Sequence, residues 1–239
     1  MKKVGFIGLG TMGFPIAGHI SQSYKTLVFN RTINKAQKWT SQFKGEICES
    51  IKDLTSKSNV ILLCLSEDKD IEEIVLGKGG ILEYLKEGTI VVDHSTTSTN
   101  LATTVSKHLL KKKSFYLDAP VSGGEAGAQN GSLSVMIGGD EVAYKDISSI
   151  LDCYSSFYKY MGPSGNGQLT KMINQICIAG LIQALAEAAS FSKKSGISPI
   201  EVLDVISRGA AQSWQMENRW ESMINDEYDF GFAVDLMVK

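Results

Sequence analysis

The chain is predicted to be α/β over residues 1–162 and all-helical over residues 163–239. Three observations carry this. Short β-branched runs alternate with segments of i, i+3, i+4 apolar spacing through the first two-thirds of the sequence. Several runs, such as Val60-Ile61-Leu62-Leu63-Cys64-Leu65, are apolar without alternation, which suits a parallel sheet covered on both faces. Beyond Gly162-Pro163-Ser164-Gly165 only helical periodicity remains. With 239 residues, 43% of them hydrophobic and 21% charged, the chain has the composition of an ordinary globular protein with one large or two small domains.

Taken in order, the first strand, Val4–Leu9, runs into Gly8-Leu9-Gly10-Thr11-Met12-Gly13 and then a helix. That is the context a dinucleotide fingerprint requires. The first glycine permits the turn, the second admits a pyrophosphate, and the third lets helix pack on strand; the helix N-terminus attracts the anion. Residues 1–162 therefore read as a Rossmann dinucleotide-binding domain. The second strand, Thr26–Phe29, ends in Asn30-Arg31-Thr32. An NAD-specific site would place a carboxylate there for the ribose 2′-hydroxyl; an arginine and a threonine hydroxyl suit a 2′-phosphate instead, so the expected cofactor is NADP rather than NAD.

The third strand, Val60–Leu65, brings Leu65 to the cofactor side. The fourth, Ile90–Asp93, leads into His94-Ser95-Thr96. His94 sits at a strand end near the cofactor, but a hydrogen-bonded structural histidine is the better reading. The helix carrying Leu101, Val105 and Leu109 closes on Lys111-Lys112-Lys113, a solvated C-terminus favoured by the helix dipole. A strand pattern from Phe115 to Val121 runs into Ser122-Gly123-Gly124, which offers a hydroxyl and unobstructed backbone N–H groups for a carboxylate. Leu133–Ile137 and Phe157–Tyr160 complete the strands.

In the helical part, Gln168 to Phe191 is apolar nearly all round and reads as a buried helix. Lys171 stands near its N-terminus, where both the dipole and burial oppose a cation. A residue breaking a local rule in this way is a functional candidate. Gln175 lies one turn on, with Asn174 beside it. Ser198-Pro199 reads as the N-cap and first residue of a further helix. Only 77 residues follow Gly162, thin for an independent core, so either the chain continues beyond Lys239 or a partner subunit covers it.

Lys+Arg 24 against Asp+Glu 26 gives a net charge of −2, with no basic excess for nucleic acid. Four scattered cysteines and three histidines show no metal spacing, so a reduced, metal-free, cytoplasmic protein is expected. The opening Met-Lys-Lys-Val-Gly-Phe-Ile-Gly is not a signal peptide, because glycines break its apolar part. Ile176 to Phe191, with Gln183 and Glu187, is too short to span a bilayer, so no membrane partner is expected.

The combined motifs resemble those of the β-hydroxyacid dehydrogenases, which include 3-hydroxyisobutyrate dehydrogenase, tartronate semialdehyde reductase and the glyoxylate/succinic semialdehyde reductases. The likeness covers the whole chain. It rests on Phe6-Ile7 with the fingerprint Gly8 to Gly13, Asp118 through Gly124 with the glycines up to Gly139, Gly165-x-Gly167-x-x-x-Lys171, and Gly231-Phe232. It implies that Lys171 is the general acid/base, that Ser122, Gly123 and Gly124 hold the substrate carboxylate, and that Thr96 and Lys239 lie beside the nicotinamide. It also implies a long helix leading from the Rossmann domain into an all-α domain. Three departures stand out: Ile16 replaces a methionine usual after the proline, Gln175 stands where many members carry asparagine, and members continue past the equivalent of Lys239, so the all-α domain is expected to be truncated.

The expected chemistry is hydride transfer between NADP(H) and a small 3-hydroxy acid or its semialdehyde. Gln175 and Asn174 would orient Lys171 or the substrate hydroxyl, and Trp214 would wall the pocket. Two other readings compete: a non-catalytic dinucleotide sensor, which the presence of Lys171 disfavours, and an imine reductase, which the carboxylate-binding run Asp118 to Gly124 disfavours. The apolar long helix predicts a homodimer or homotetramer.

Overall fold

The computed structural model describes residues 2–228; Gly231, Phe232 and Lys239 lie outside the described residues. The chain divides into two compact units, one running to Lys171 and the other starting at Met172.

The first unit is built on one mixed sheet. Its strands are β1 (Lys3–Ile7), β2 (Lys25–Phe29), β3 (Glu46–Ile47), β4 (Val60–Leu63), β5 (Ile90–Asp93), β6 (Phe115–Asp118), β7 (Val121–Ser122), β8 (Leu133–Gly139) and β9 (Ser155–Gly162). They lie in the order β3-β2-β1-β4-β5-β6-β8-β7, with β9 also on β8. From β3 to β6 every pairing is parallel. The strand order reverses direction between β1 and β4, the point where open α/β sheets bind ligands at the carboxyl ends of their strands.

Alternation within these apolar strands feeds two cores. Val4, Phe6, Val28, Val60 and Leu62 pack on one face with Ile16 and Trp39. Ile7, Leu27, Ile61 and Leu63 pack on the other with Leu54, Val105 and Leu109. Continuous hydrophobicity was the signal for this two-sided cover, and the buried faces answer to it.

The sheet departs from the expected parallel arrangement at its far end. β8 runs antiparallel to both β6 and β7, while β8 and β9 are parallel. The expected strand from Phe115 to Val121 is in fact two pieces, because Ala119-Pro120 interrupts it; a proline cannot donate to a ladder. β3 and β7, two residues each, were too short to register as periodic runs.

A 29-residue helix, Asn166–Lys194, begins in the first unit and continues in the second. Its expected burial holds at the start and along one later stripe, at Leu185, Ala189 and Ser192. Gln168 is buried, as is Lys171, but Ile173, Ile176 and Phe191 are 62%, 72% and 72% exposed. An apolar circumference marked a face needing cover, and among the described residues nothing covers Ile173, Ile176 or Phe191. Among the described residues this is also one helix long and apolar enough to cross a membrane by length and composition, contrary to the shorter span read from the sequence. The second unit has its own small core, in which Leu185 and Ala189 meet Met216 and Trp220. Ser198 caps the helix Pro199–Ile206 by accepting from the Glu201 N–H, and Pro199 stands in its first turn. A last described helix, Trp214–Ile224, is capped by Ser213.

Candidate active site

The fingerprint glycines each meet a different need. Gly8 has φ +98°, and a Cβ there would lie 2.3 Å from the Cys64 carbonyl oxygen. A Cβ on Gly13 would come within 1.9 Å of the Gly8 carbonyl oxygen, so helix and strand can touch only with glycine. At Gly10 a Cβ would meet nothing within 4 Å. That glycine therefore serves something outside the chain's own packing, and a pyrophosphate laid over the turn fits. The helix Gly13–Ser21 that follows has no side-chain cap and no acidic residue in its first turn, leaving its N–H groups and dipole for an anion. Thr11 is exposed and Met12 half-buried at this entrance.

Asn30 has a more internal task than its sequence position suggested. Its Oδ1 accepts from the Leu9 N–H at 2.9 Å and its Nδ2 donates to the Thr32 carbonyl at 3.0 Å. It ties the fingerprint turn to the end of β2. Arg31 is largely exposed, with its guanidinium 3.8 Å from Asp70. Thr32 stands at the N-cap of the helix Ile33–Thr40, yet its hydroxyl makes no cap hydrogen bond, and no acidic residue occupies that first turn. Lys35, which the sequence reading did not single out, sits in this first turn and lines a groove of about 540 Å³ with Leu9, Gly10, Thr11 and Lys38. Its signal was there: a cation near a helix N-terminus, where the dipole disfavours one.

Leu65 closes over the fingerprint, its Cδ2 being 2.8 Å from where a Gly8 Cβ would stand. Its N–H donates to the Ser95 hydroxyl at 2.8 Å, which fixes the turn after β4 to the turn after β5. Thr96 is half-buried in that second turn. His94 is buried with Nδ1 against the Ala119 carbonyl at 2.6 Å and Nε2 against the Tyr154 hydroxyl at 2.8 Å. Burial holds its pKa down to about 4. Both nitrogens face interior partners, so it is a structural histidine.

Asp118, at the end of β6, is fully buried and caps the long helix from outside. Oδ1 accepts from the Gly165 N–H at 2.8 Å and Oδ2 from the Gln168 N–H at 3.0 Å, while burial pushes its pKa up. A Cβ on Gly167 would lie 2.3 Å from the Asp118 carbonyl oxygen, so the approach is as close as backbones allow. Three residues past Asp118 the chain enters β7, whose Ser122 leads directly into Gly123-Gly124. Gly123 has φ +132° and Gly124 φ +63°, and a Cβ on Gly124 would meet nothing within 4 Å. The turn is open to a small ligand.

Lys171 comes to this turn. Its side chain is buried, and Nζ donates to the Val121 carbonyl at 2.9 Å, one residue before Ser122. Burial pulls its pKa below the ordinary lysine value. Among the described residues no carboxylate pairs with it, so no opposite charge offsets the desolvation of its own. Asn174 and Gln175 follow along the same helix but belong to the second unit, where Asn174 Nδ2 donates to Gln175 Oε1 at 3.0 Å. Trp214 is also in the second unit, exposed, with the Arg219 guanidinium 5.5 Å from its ring. In the first unit, then, the structure gathers Lys171, the Ser122 to Gly124 turn, Thr96, Leu65 and the fingerprint at the carboxyl ends of the strands.

This is the arrangement of a dinucleotide-dependent oxidoreductase, and comparison with known proteins decides the kind. Residues 3–162 match the NAD binding domain of 6-phosphogluconate dehydrogenase, and residues 165–239 match the NAD-binding region of NADP-dependent 3-hydroxyisobutyrate dehydrogenase. The chain belongs to the β-hydroxyacid dehydrogenase family. An uncharacterized oxidoreductase of Shewanella frigidimarina is 47% identical over 240 residues, covering 100% of this chain and 82% of that protein. The 2-hydroxy-3-oxopropionate reductase of Escherichia coli is 32% identical over 237 residues, covering 99% of this chain and 81% of that protein. Among solved structures, 3-hydroxyisobutyrate dehydrogenase of Mycobacterium tuberculosis with L-serine superposes with TM-score 0.89 at 25% identity, covering 99% of this chain and 83% of that one. Psf3 in complex with NADP+ and 2-OPP gives TM-score 0.90 at 25% identity, over 98% and 83% of the two chains. The protein is accordingly an oxidoreductase of the NAD(P)-dependent 3-hydroxyacid dehydrogenase family.

Proposed function

We propose that this β-hydroxyacid dehydrogenase interconverts a small 3-hydroxy acid and its semialdehyde, with NADP(H) as cofactor and Lys171 as general acid/base. The observation that carries the reading is the buried Lys171 amine, held 2.9 Å from the Val121 carbonyl beside the open Ser122-Gly123-Gly124 turn. Backbone N–H groups of that turn bind the substrate carboxylate and set the distance to the reacting carbon. NADP, when bound, donates or accepts the hydride. Lys171 gives a proton to the oxygen as the carbonyl is reduced, and takes one when the hydroxyl is oxidised. Burial lowers its pKa from the ordinary lysine value, which makes the ammonium a better proton donor in reduction and the neutral amine easier to reach for oxidation. Asn174 and Gln175 orient Lys171 or the substrate hydroxyl, and Trp214 walls the pocket.

NADP preference follows from the end of β2. Arg31, the uncapped Thr32 hydroxyl and Lys35 present charge and donors where an NAD site would carry a carboxylate. A charge-assisted hydrogen bond contributes on the order of 1.5–3 kcal/mol, which corresponds to a preference of roughly 10- to 100-fold. A solved relative described with NADP+ is consistent with this choice. The protein works as a cytoplasmic homodimer or homotetramer, away from membranes and nucleic acid; a second copy covers the apolar residues of the long helix.

Lys171→Ala tests the core of the reading. Turnover with 3-hydroxy acids and semialdehydes should fall by about 10²-fold or more, while cofactor binding persists. In the wild type, oxidation needs the neutral amine and should rise with pH through the Lys171 pKa. Reduction needs the ammonium and should decline across the same range, below the ordinary lysine value of 10.5. Retention of most activity in Lys171→Ala would remove the lysine from the mechanism and revive the sensor reading.

A further inference from the structure

We infer that Gln168 is a positioning residue whose carboxamide sets Lys171 relative to the nicotinamide-side turn. The inference rests on the dehydrogenase reading given above for what Lys171 does. Gln168 is fully buried. Its Nε2 donates to the Ser95 carbonyl at 2.8 Å and its Oε1 accepts from the Thr97 N–H at 3.1 Å. The single amide thus grips the backbone on both sides of Thr96. Its own N–H donates to Asp118, and Lys171 follows three residues later on the neighbouring position of the helix surface.

The contacts form one connected set. Leu65, which closes over the fingerprint, donates from its N–H to the Ser95 hydroxyl. The Ser95 N–H donates to Asp93 Oδ1 at 2.9 Å, and Asp93 Oδ2 accepts from the Tyr116 hydroxyl at 2.6 Å. Asp118 joins the end of β6 to the helix start. Gln168 is the one side chain in this set that links the turn after β5 to the helix carrying Lys171. A glutamine used only to fill space would not need both ends of its amide satisfied by the flanks of one residue. Packing alone would accept methionine, which matches its volume and makes neither bond.

A displacement near 1 Å at a reacting centre can cost on the order of 100-fold in rate, so loss of the strut should be felt in turnover before binding. The test compares wild type, Gln168→Met and Gln168→Asn as full-length protein, in two measurements. The first is steady-state kinetics with NADP+ affinity by fluorescence titration. The second, made without cofactor or substrate, follows the pH dependence of Lys171 labelling by an amine-reactive ester, read by mass spectrometry. Gln168→Met should lower kcat at least tenfold, leave the NADP+ Kd within threefold, and move the Lys171 labelling midpoint toward that of exposed lysines. Gln168→Asn, which keeps the amide on a shorter stem, should shift both readouts in the same direction by less, and it serves if the methionine variant does not fold. An unmoved labelling midpoint, or NADP+ affinity falling in step with kcat, would overturn the inference. If the wild type turns over no hydroxy acid or semialdehyde, the functional reading fails, and the labelling measurement still decides whether Gln168 positions Lys171.

Discussion

Replacing Asp93 by asparagine should expose a compensation between two neighbouring buried groups. Asp93 is fully buried at the end of β5, and desolvation pushes its pKa from 3.8 up to about 6. His94, next in sequence, is held down from 6.5 to about 4 by the same cause. The two act on stability with opposite sign. Asp93 binds its proton more readily folded than unfolded, so the stability it contributes is present below pH 3.8 and lost as pH rises through 6. His94 binds its proton less readily folded, so its contribution is present above pH 6.5 and lost as pH falls toward 4. A pKa difference of about 2 is worth roughly 3 kcal/mol for each group, by the 1.36 kcal/mol per unit linkage. In the wild type the slopes oppose one another across this range. Asp93→Asn removes one and should lose about 3 kcal/mol between pH 6.5 and 4, or roughly 6–12 °C in Tm for a unit of this size. His94→Gln should do the reverse and gain stability on acidification. Urea unfolding followed by circular dichroism at several pH values measures both against wild type, so the titration of all other groups cancels. Three parallel profiles would refute the reasoning.

Three further outcomes follow from the geometry. Gly10→Ala should leave Tm within about 2 °C while weakening dinucleotide binding at least tenfold, since its Cβ meets only the ligand's space; Gly13→Ala, 1.9 Å from the Gly8 carbonyl oxygen, should instead destabilise the fold strongly. Arg31→Ala should reduce affinity for NADP by roughly tenfold or more and leave NAD nearly unchanged, and equal titrations of both cofactors into wild type would end the NADP proposal. Light scattering on the full-length protein should give a dimer or tetramer, and a clean monomer at micromolar concentration would show that the long helix is covered some other way.

The sequence disclosed those features whose local pattern coincides with their function. The fingerprint was legible because three glycines at fixed spacing answer three separate steric needs, each visible at Gly8, Gly10 and Gly13. Lys171 was legible because it breaks two local rules at once, lying near a helix N-terminus and in an apolar stretch. The strands from β1 to β6 were legible from continuous hydrophobicity. The reversal at β8 was not, because an apolar run carries no sign of its direction. Asp118 and Gln168 lie inside the motifs that the sequence displays, yet their tasks depend on partners 47 and 73 residues away in sequence. Long-range polar contacts of this kind leave no periodic trace.

The long helix shows the same limit from the other side. Its apolar circumference was read as burial, but only its first turn and one later stripe through Leu185 and Ala189 are enclosed, and Ile173, Ile176 and Phe191 face outward. Hydrophobicity reports that a surface needs cover, and it does not say whose atoms provide the cover. A bilayer would satisfy the apolar residues, yet it would have to accept Lys171, Asn174, Gln175, Gln183 and Glu187 on the same 29-residue helix, and each polar group in hydrocarbon carries a penalty. A protein surface accepts both kinds of side chain, because it can leave polar positions at a wet rim. That asymmetry is the physical ground for expecting a second copy of this chain along the helix.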